Sequence, residues 1–135
     1  MNDLEQVIDS LQRCADANLD VTDAVYERFF ERNSNAQALM DNSDQYMRGR
    51  MLDQVLVMIM SEPSDEDAGY LHWELENHLL AYGVEVAMYA DFMWALKDSV
   101  ESALGPDWQA ADAASWSNRI SAFLAQIETG CEALA

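Results

Sequence analysis

Few side chains in this sequence can do chemistry, and they are scattered. The chain holds 2 histidines, 2 cysteines and 8 methionines. His78 stands out because it sits in "ENHLLAYGVEVAMYADF", just ahead of a glycine break between two apolar stretches. An imidazole there fits three roles: a core histidine, a general base or a metal ligand. At helical spacing Leu71, Leu75, His78 and Tyr82 share one face, so the ring belongs to an apolar stripe. Glu74 stands at i, i+4 to His78, but no further ligand lies nearby to complete a metal set. His72 falls on a different helical face and reads as a surface residue. Cys14 and Cys131 lie near opposite ends with no CxxC pair, which reads as two free thiols, with a disulfide between the first and last helices left open. Phosphate-binding glycine loops, HExxH, EF-hand loops and nucleophile motifs are all missing from the sequence. Carboxylates are so frequent that any acid–base pair would arise by chance.

The composition bounds what such residues can serve. The 135 residues suit one domain, 1–135, with half of them hydrophobic and a net charge of −18 from 25 acids and 7 bases. So acidic a surface repels phosphate backbones and anionic membranes, which argues against nucleic-acid or membrane partners. The longest strongly apolar run, Val55 to Met60, is too short to span a bilayer. The opening "MNDLEQVIDS" lacks the basic start and apolar run of a secretory signal, so a cytoplasmic location is the expectation.

The elements that must position these residues all read as helix. Leu4, Val7, Ile8, Leu11 and Cys14 recur at helical spacing up to about Asn18. "DVTDAVYERFF" opens with Asp20 and Thr22 as capping candidates and turns Val21, Ala24, Val25 and Phe29 inward. "ERNSNAQALMDNS" breaks the pattern and fits a turn with one short helix. Ser43 or Asp44 caps a third long helix carrying Met47, Met51, Val55, Met58 and Ile59. "SEPSDEDAG" ends it, and the next runs from about Glu66 to Ala81. Another spans about Glu85 to Leu104, closed by Gly105 and Pro106. The last covers about Trp108 to Glu128, with Trp116, Ile120, Phe123, Leu124 and Ile127 inward. About six main helices around one core make an all-α fold.

Four of these pieces, in their order and separations, resemble the globin family. "VYERFFERN" is similar to the second helix of single-domain bacterial globins, and "MRGRMLDQVLVMI" to the distal helix. "HLLAYGVEVAMYADFMWAL" resembles the proximal histidine, the corner and the next helix. "ALGPDWQAADAASWSNRISAFL" resembles the last turn, the Gly-Pro break and the terminal helix. The resemblance covers nearly the whole chain and implies a globin-like fold around haem b, with a diatomic gas, oxygen or nitric oxide, as ligand. It makes His78 the iron ligand. It places Met40, Met47, Arg50, Met51, Leu75, Tyr82, Val84 and Tyr89 around the cofactor, with Tyr26 and Met47 facing the gas. The spacing from His78 to Val84 matches animal members; bacterial members are commonly one residue shorter, which would put Leu79 at the ligand position. The usual haem-stacking phenylalanine is replaced by Met40 or Leu39, and the usual distal His or Gln by Met47, which donates no strong hydrogen bond. Tyr26 is then the strong distal donor, and its alternative is a core tyrosine. Arg50 reaches a propionate or pairs with Asp53 or Asp44.

Two functions follow as expectations. One is a haem globin for gas storage, detoxification or sensing, with at most a weak haem-dependent dioxygenase activity. The other is a haem-free globin-like module that binds a protein partner or an apolar ligand. A helix-mediated homodimer is the expected form of any self-association.

Overall fold

The computed structural model describes residues 1–60 and 86–134, the side chains of 86 and 130–134 excepted. Among the described residues every regular element is helical. In chain order they are α1 (Asp3–Asp16), α2 (Thr22–Arg32), α3 (Ser34–Leu39), α4 (Gln45–Ile59), α5 (Val86–Leu104), a 3-10 turn (Gly105–Asp107) and α6 (Ala110–Leu134). The expected helix from Glu66 to Ala81 lies outside the described residues.

The helix ends follow local chemistry. Asn2 caps α1 by accepting the Glu5 amide at 2.8 Å. Asn18 closes it in the left-handed region, φ 56°. There the Leu19 amide donates to the Cys14 carbonyl at 2.9 Å and the Asn18 amide to Ala15 at 3.0 Å. Those two bonds satisfy carbonyls the helix itself leaves orphaned. Asp20 accepts both the amide and the hydroxyl of Thr22, which holds its carboxyl below the usual range. Asn33 ends α2 and also starts α3, since its side chain accepts the Ala36 amide. Asp44, rather than Ser43, caps α4 through the Met47 amide at 2.8 Å. Gly105 takes φ 53° after α5, a conformation without the Cβ penalty other residues meet.

Packing pairs α1 with α6, α2 with α5, α5 with α6, and α4 with both α2 and α6. Val7, Val25, Leu96, Val100, Trp116 and Ile120 are fully enclosed at the centre. On α6 the buried positions 112, 116, 120, 123 and 127 repeat at helical spacing, and the helix runs six residues beyond the expected Glu128. On α1 the buried face is Gln6, Val7, Ser10 and Cys14, while Ile8 is 40% exposed. Polar Gln6 and Ser10 can lie inward because partners on α6 satisfy them. On α4 the buried residues are Leu52 and Ile59, with Met47 and Met51 turned outward.

The continuity of α6 answers the disulfide question. Arg13 bonds to Asp112, so Cys14 lies by the start of α6. Cys131 is 19 residues further along that helix, and at 1.5 Å per residue the separation from Asp112 is about 28 Å. A disulfide needs Cα atoms within about 7 Å. Cys14 is a buried free thiol, and burial raises its pKa against the pull of Arg13.

Candidate functional site

Among the described residues, two places concentrate polar groups between helices. The first joins α1 to α6. The Asp112 carboxylate is fully buried. One oxygen accepts Arg13 Nη2 and Gln6 Nε2, each at 2.6 Å; the other accepts the Gln109 amide at 2.9 Å. Burial alone would push this carboxyl up. The hydrogen bonds from Arg13, Gln109 and Gln6, with the charge of Arg13, hold it below the usual range instead. Beside it Trp116 Nε1 donates to Ser10 Oγ at 2.8 Å, and Ser10 donates to the Val7 carbonyl. Every acceptor here is engaged by the protein itself, so the cluster is a structural tie and offers no base to a substrate.

The second place lies where α2, α4 and α5 meet. Helical spacing sends Tyr26 and Phe29 of α2 and Phe92 of α5 to a common centre. Phe92 lies edge-on to both at centroid distances of 5.5 and 5.1 Å. Tyr26 is 2% exposed, and its hydroxyl donates to the Arg48 carbonyl of α4 at 3.0 Å. Burial pushes its phenol up to about 12 despite the nearby Arg48 charge, so it stays a neutral donor. The Arg48 guanidinium lies 5.5 Å from the Tyr26 ring centre and 5.1 Å from that of Phe30. Its Nε donates to Ser43 Oγ at 2.9 Å, and Nη2 makes a long 3.4 Å contact with the Met40 carbonyl. Among the described residues it meets no carboxylate.

The residues singled out from sequence fall around this second place unevenly. Met40 packs half-buried against the core at the α3–α4 corner, and Tyr89 is half-buried on α5. Met47 and Met51 share one face of α4 and are 51% and 38% exposed. Arg50 is exposed, with its guanidinium 5.7 Å from the Tyr46 ring centre; no ion pair joins it to Asp53 or Asp44. His78, Leu75, Tyr82 and Val84 lie outside the described residues. No group of three or more His, Cys, Asp or Glu side chains is placed to hold a metal among the described residues. The residues that sequence reasoning missed are Arg48 and Asp112. Arg48 is one of only 7 bases and lies in a methionine-rich helix, which was a usable signal. Gln109 and Asp112 stand at capping-box spacing.

No described helix is long and apolar enough to cross a membrane. Comparison with models of known protein families gives no match, and comparison with curated proteins gives none.

Proposed function

We propose that this chain is a globin-like protein that binds haem b and, through it, a diatomic gas such as oxygen or nitric oxide. The observation that carries the reading is the outward pair Met47 and Met51 on α4. Two apolar side chains withheld from the core, beside a helix contact centred on Tyr26, fit one wall of a site for a flat apolar ring. Methionine suits such a wall because its flexible thioether adapts to ring faces. The order of α2, α4, α5 and α6, and the pairing of α2 with both α4 and α5, agree with the globin resemblance of the sequence.

Haem would supply an iron able to take up the gas. In this reading His78 would ligate the iron. Met47 and Met51 would line the ring and help to exclude water, and Met40 would cover the corner. Tyr26 supplies the one strong donor, and for that its hydroxyl must turn from the Arg48 carbonyl it now meets at 3.0 Å. The test is an absorption scan of the purified chain after addition of hemin. The expected result is a Soret band that His78→Ala abolishes while helical circular dichroism is kept.

The Tyr26 geometry favours a second reading, a haem-free module of the same architecture. Its proton already has a partner within the protein, as in a core tyrosine. A folded, colourless chain that takes up no hemin would establish this alternative.

A further inference from the structure

With 25 acids and 7 bases, most of this chain's surface repels a copy of itself. The long helices differ in this. α1, α2, α5 and α6 each carry more acids than bases, whereas α4 carries two bases, Arg48 and Arg50, and one acid, Asp53. At the exposed positions of α4 the charged residues are Arg50 and Asp53, and their charges cancel. Tyr46 is 72% exposed and Val57 60%, the highest values among the described large apolar residues after Met1. The helix with the least charge repulsion therefore also turns large apolar side chains to the surface.

These four residues form one stripe. Tyr46, Arg50, Asp53 and Val57 are spaced by four, three and four, so at about 100° per residue they fall within about 60° of arc. The stripe lies about 110° around α4 from Met47 and Met51, so it is a different face from the wall assigned to a flat ring. Arg50 rests on the Tyr46 ring at 5.7 Å from its centre. Neither Arg50 nor Asp53 makes an ion pair among the described residues, even with each other one turn apart.

The order of the four is self-complementary. Two copies of the helix laid antiparallel, with a two-fold axis at the level between residues 51 and 52, set Arg50 of each against Asp53 of the other. The same register sets Tyr46 of each against Val57 of the other. Such a contact uses one patch on both copies, as a two-fold interface requires. A parallel pairing in register would instead set Arg50 against Arg50 and Asp53 against Asp53.

We propose that a second copy of this chain docks on the stripe, α4 antiparallel to α4, with two reciprocal Arg50–Asp53 pairs between outer Tyr46–Val57 contacts. The proposal is independent of haem. Its charge pairs fix register and direction, and the apolar ends supply the buried area.

Sedimentation equilibrium of the full chain without hemin tests it. At about 0.15 M salt the Debye length is about 8 Å, which screens the repulsion between the two acidic bodies. One helix pair is a small interface, so the mass should rise from one chain toward two across about 1–500 μM. Arg50→Asp and Asp53→Arg each place two like-charge pairs across the axis and should weaken association at least about ten-fold. Asp53→Arg also lowers the net negative charge, so general repulsion alone predicts the opposite change. Combining Arg50→Asp and Asp53→Arg in one chain should restore the dimer, as should mixing the two single variants. Tyr46→Ser should weaken it without altering the charge. All four positions are exposed, and circular dichroism confirms that each variant keeps its helices. A chain that stays monomeric throughout the range overturns the proposal. So does a dimer that the single charge variants leave unchanged, or one that the combined variant fails to restore.

Discussion

The α1–α6 contact and the α2–α4 contact each enclose an arginine, and they treat it in opposite ways. Arg13 meets a buried carboxylate whose remaining valences are filled by Gln6 and the Gln109 amide. Among the described residues Arg48 meets only neutral oxygens and ring faces. A polar cluster that completes itself fixes two helices and has nothing left for a ligand. One that meets only neutral groups leaves its charge uncompensated. The first kind of cluster ties two helices together, and the second leaves one charge without an opposite partner among the described residues.

The largest expected effect breaks the closed cluster. Asp112→Ala removes the acceptor of two side chains and one backbone amide, all at a buried position. Such a loss costs on the order of 3–4 kcal/mol. For a chain of this size it should lower the thermal midpoint by roughly 10 °C, read by circular dichroism. A cost below about 1 kcal/mol would mean water replaces the carboxylate freely, and the contrast with Arg48 would vanish.

Acid should expose the same residue. The Asp112 carboxyl has a folded pKa below its unfolded value of about 3.9. Its contribution is therefore fully present above the unfolded value and is lost as pH falls through the lower folded one. Denaturant midpoints should drop below about pH 4, and Asp112→Asn, already lacking the charge, should show a shallower drop over that window.

Alkali sharpens the other side of the comparison. The Tyr26 phenol is raised to about 12 by burial, while an unfolded tyrosine ionises near 10. Its contribution is present below pH 10 and is lost as pH rises toward 12, by up to about 2–3 kcal/mol. Absorbance at the phenolate band should show a late-titrating tyrosine that is missing in Tyr26→Phe. That substitution should cost only about 1 kcal/mol at neutral pH, because the Arg48 carbonyl lies within a helix.

Periodicity made α2 and α6 legible, because Val25, Phe29, Trp116, Ile120, Phe123 and Ile127 repeat at helical intervals and are buried. Gly105 was legible because a left-handed cap after an apolar run has few other solutions. The inward face of α1 was not legible. Gln6 and Ser10 are polar by type, and only their partners on α6, over a hundred residues away, make them interior. The face of α4 misled for a related reason. It carries apolar residues on nearly every side, so spacing alone cannot say that Leu52 faces in and Met47 out. Arg48 escaped notice because its acceptors, Ser43 and the Met40 carbonyl, belong to a corner whose shape the sequence does not specify.

The smallest expected effect bears most directly on the site. Leu52 and Met51 are adjacent on α4, yet Leu52 is 3% exposed and Met51 38%. Leu52→Ala should cost about 2–4 kcal/mol, the range for emptying a buried aliphatic site. Met47→Gln and Met51→Gln should each cost less than about 0.5 kcal/mol, since both side chains already meet water and lose little apolar burial. Urea midpoints of the three variants measure this ordering directly. If either methionine variant cost more than about 1.5 kcal/mol, the strip would be core and no apolar wall would face outward. If both are near neutral and still weaken uptake of an apolar probe, the side of α4 that contributes least to folding is the side that binds.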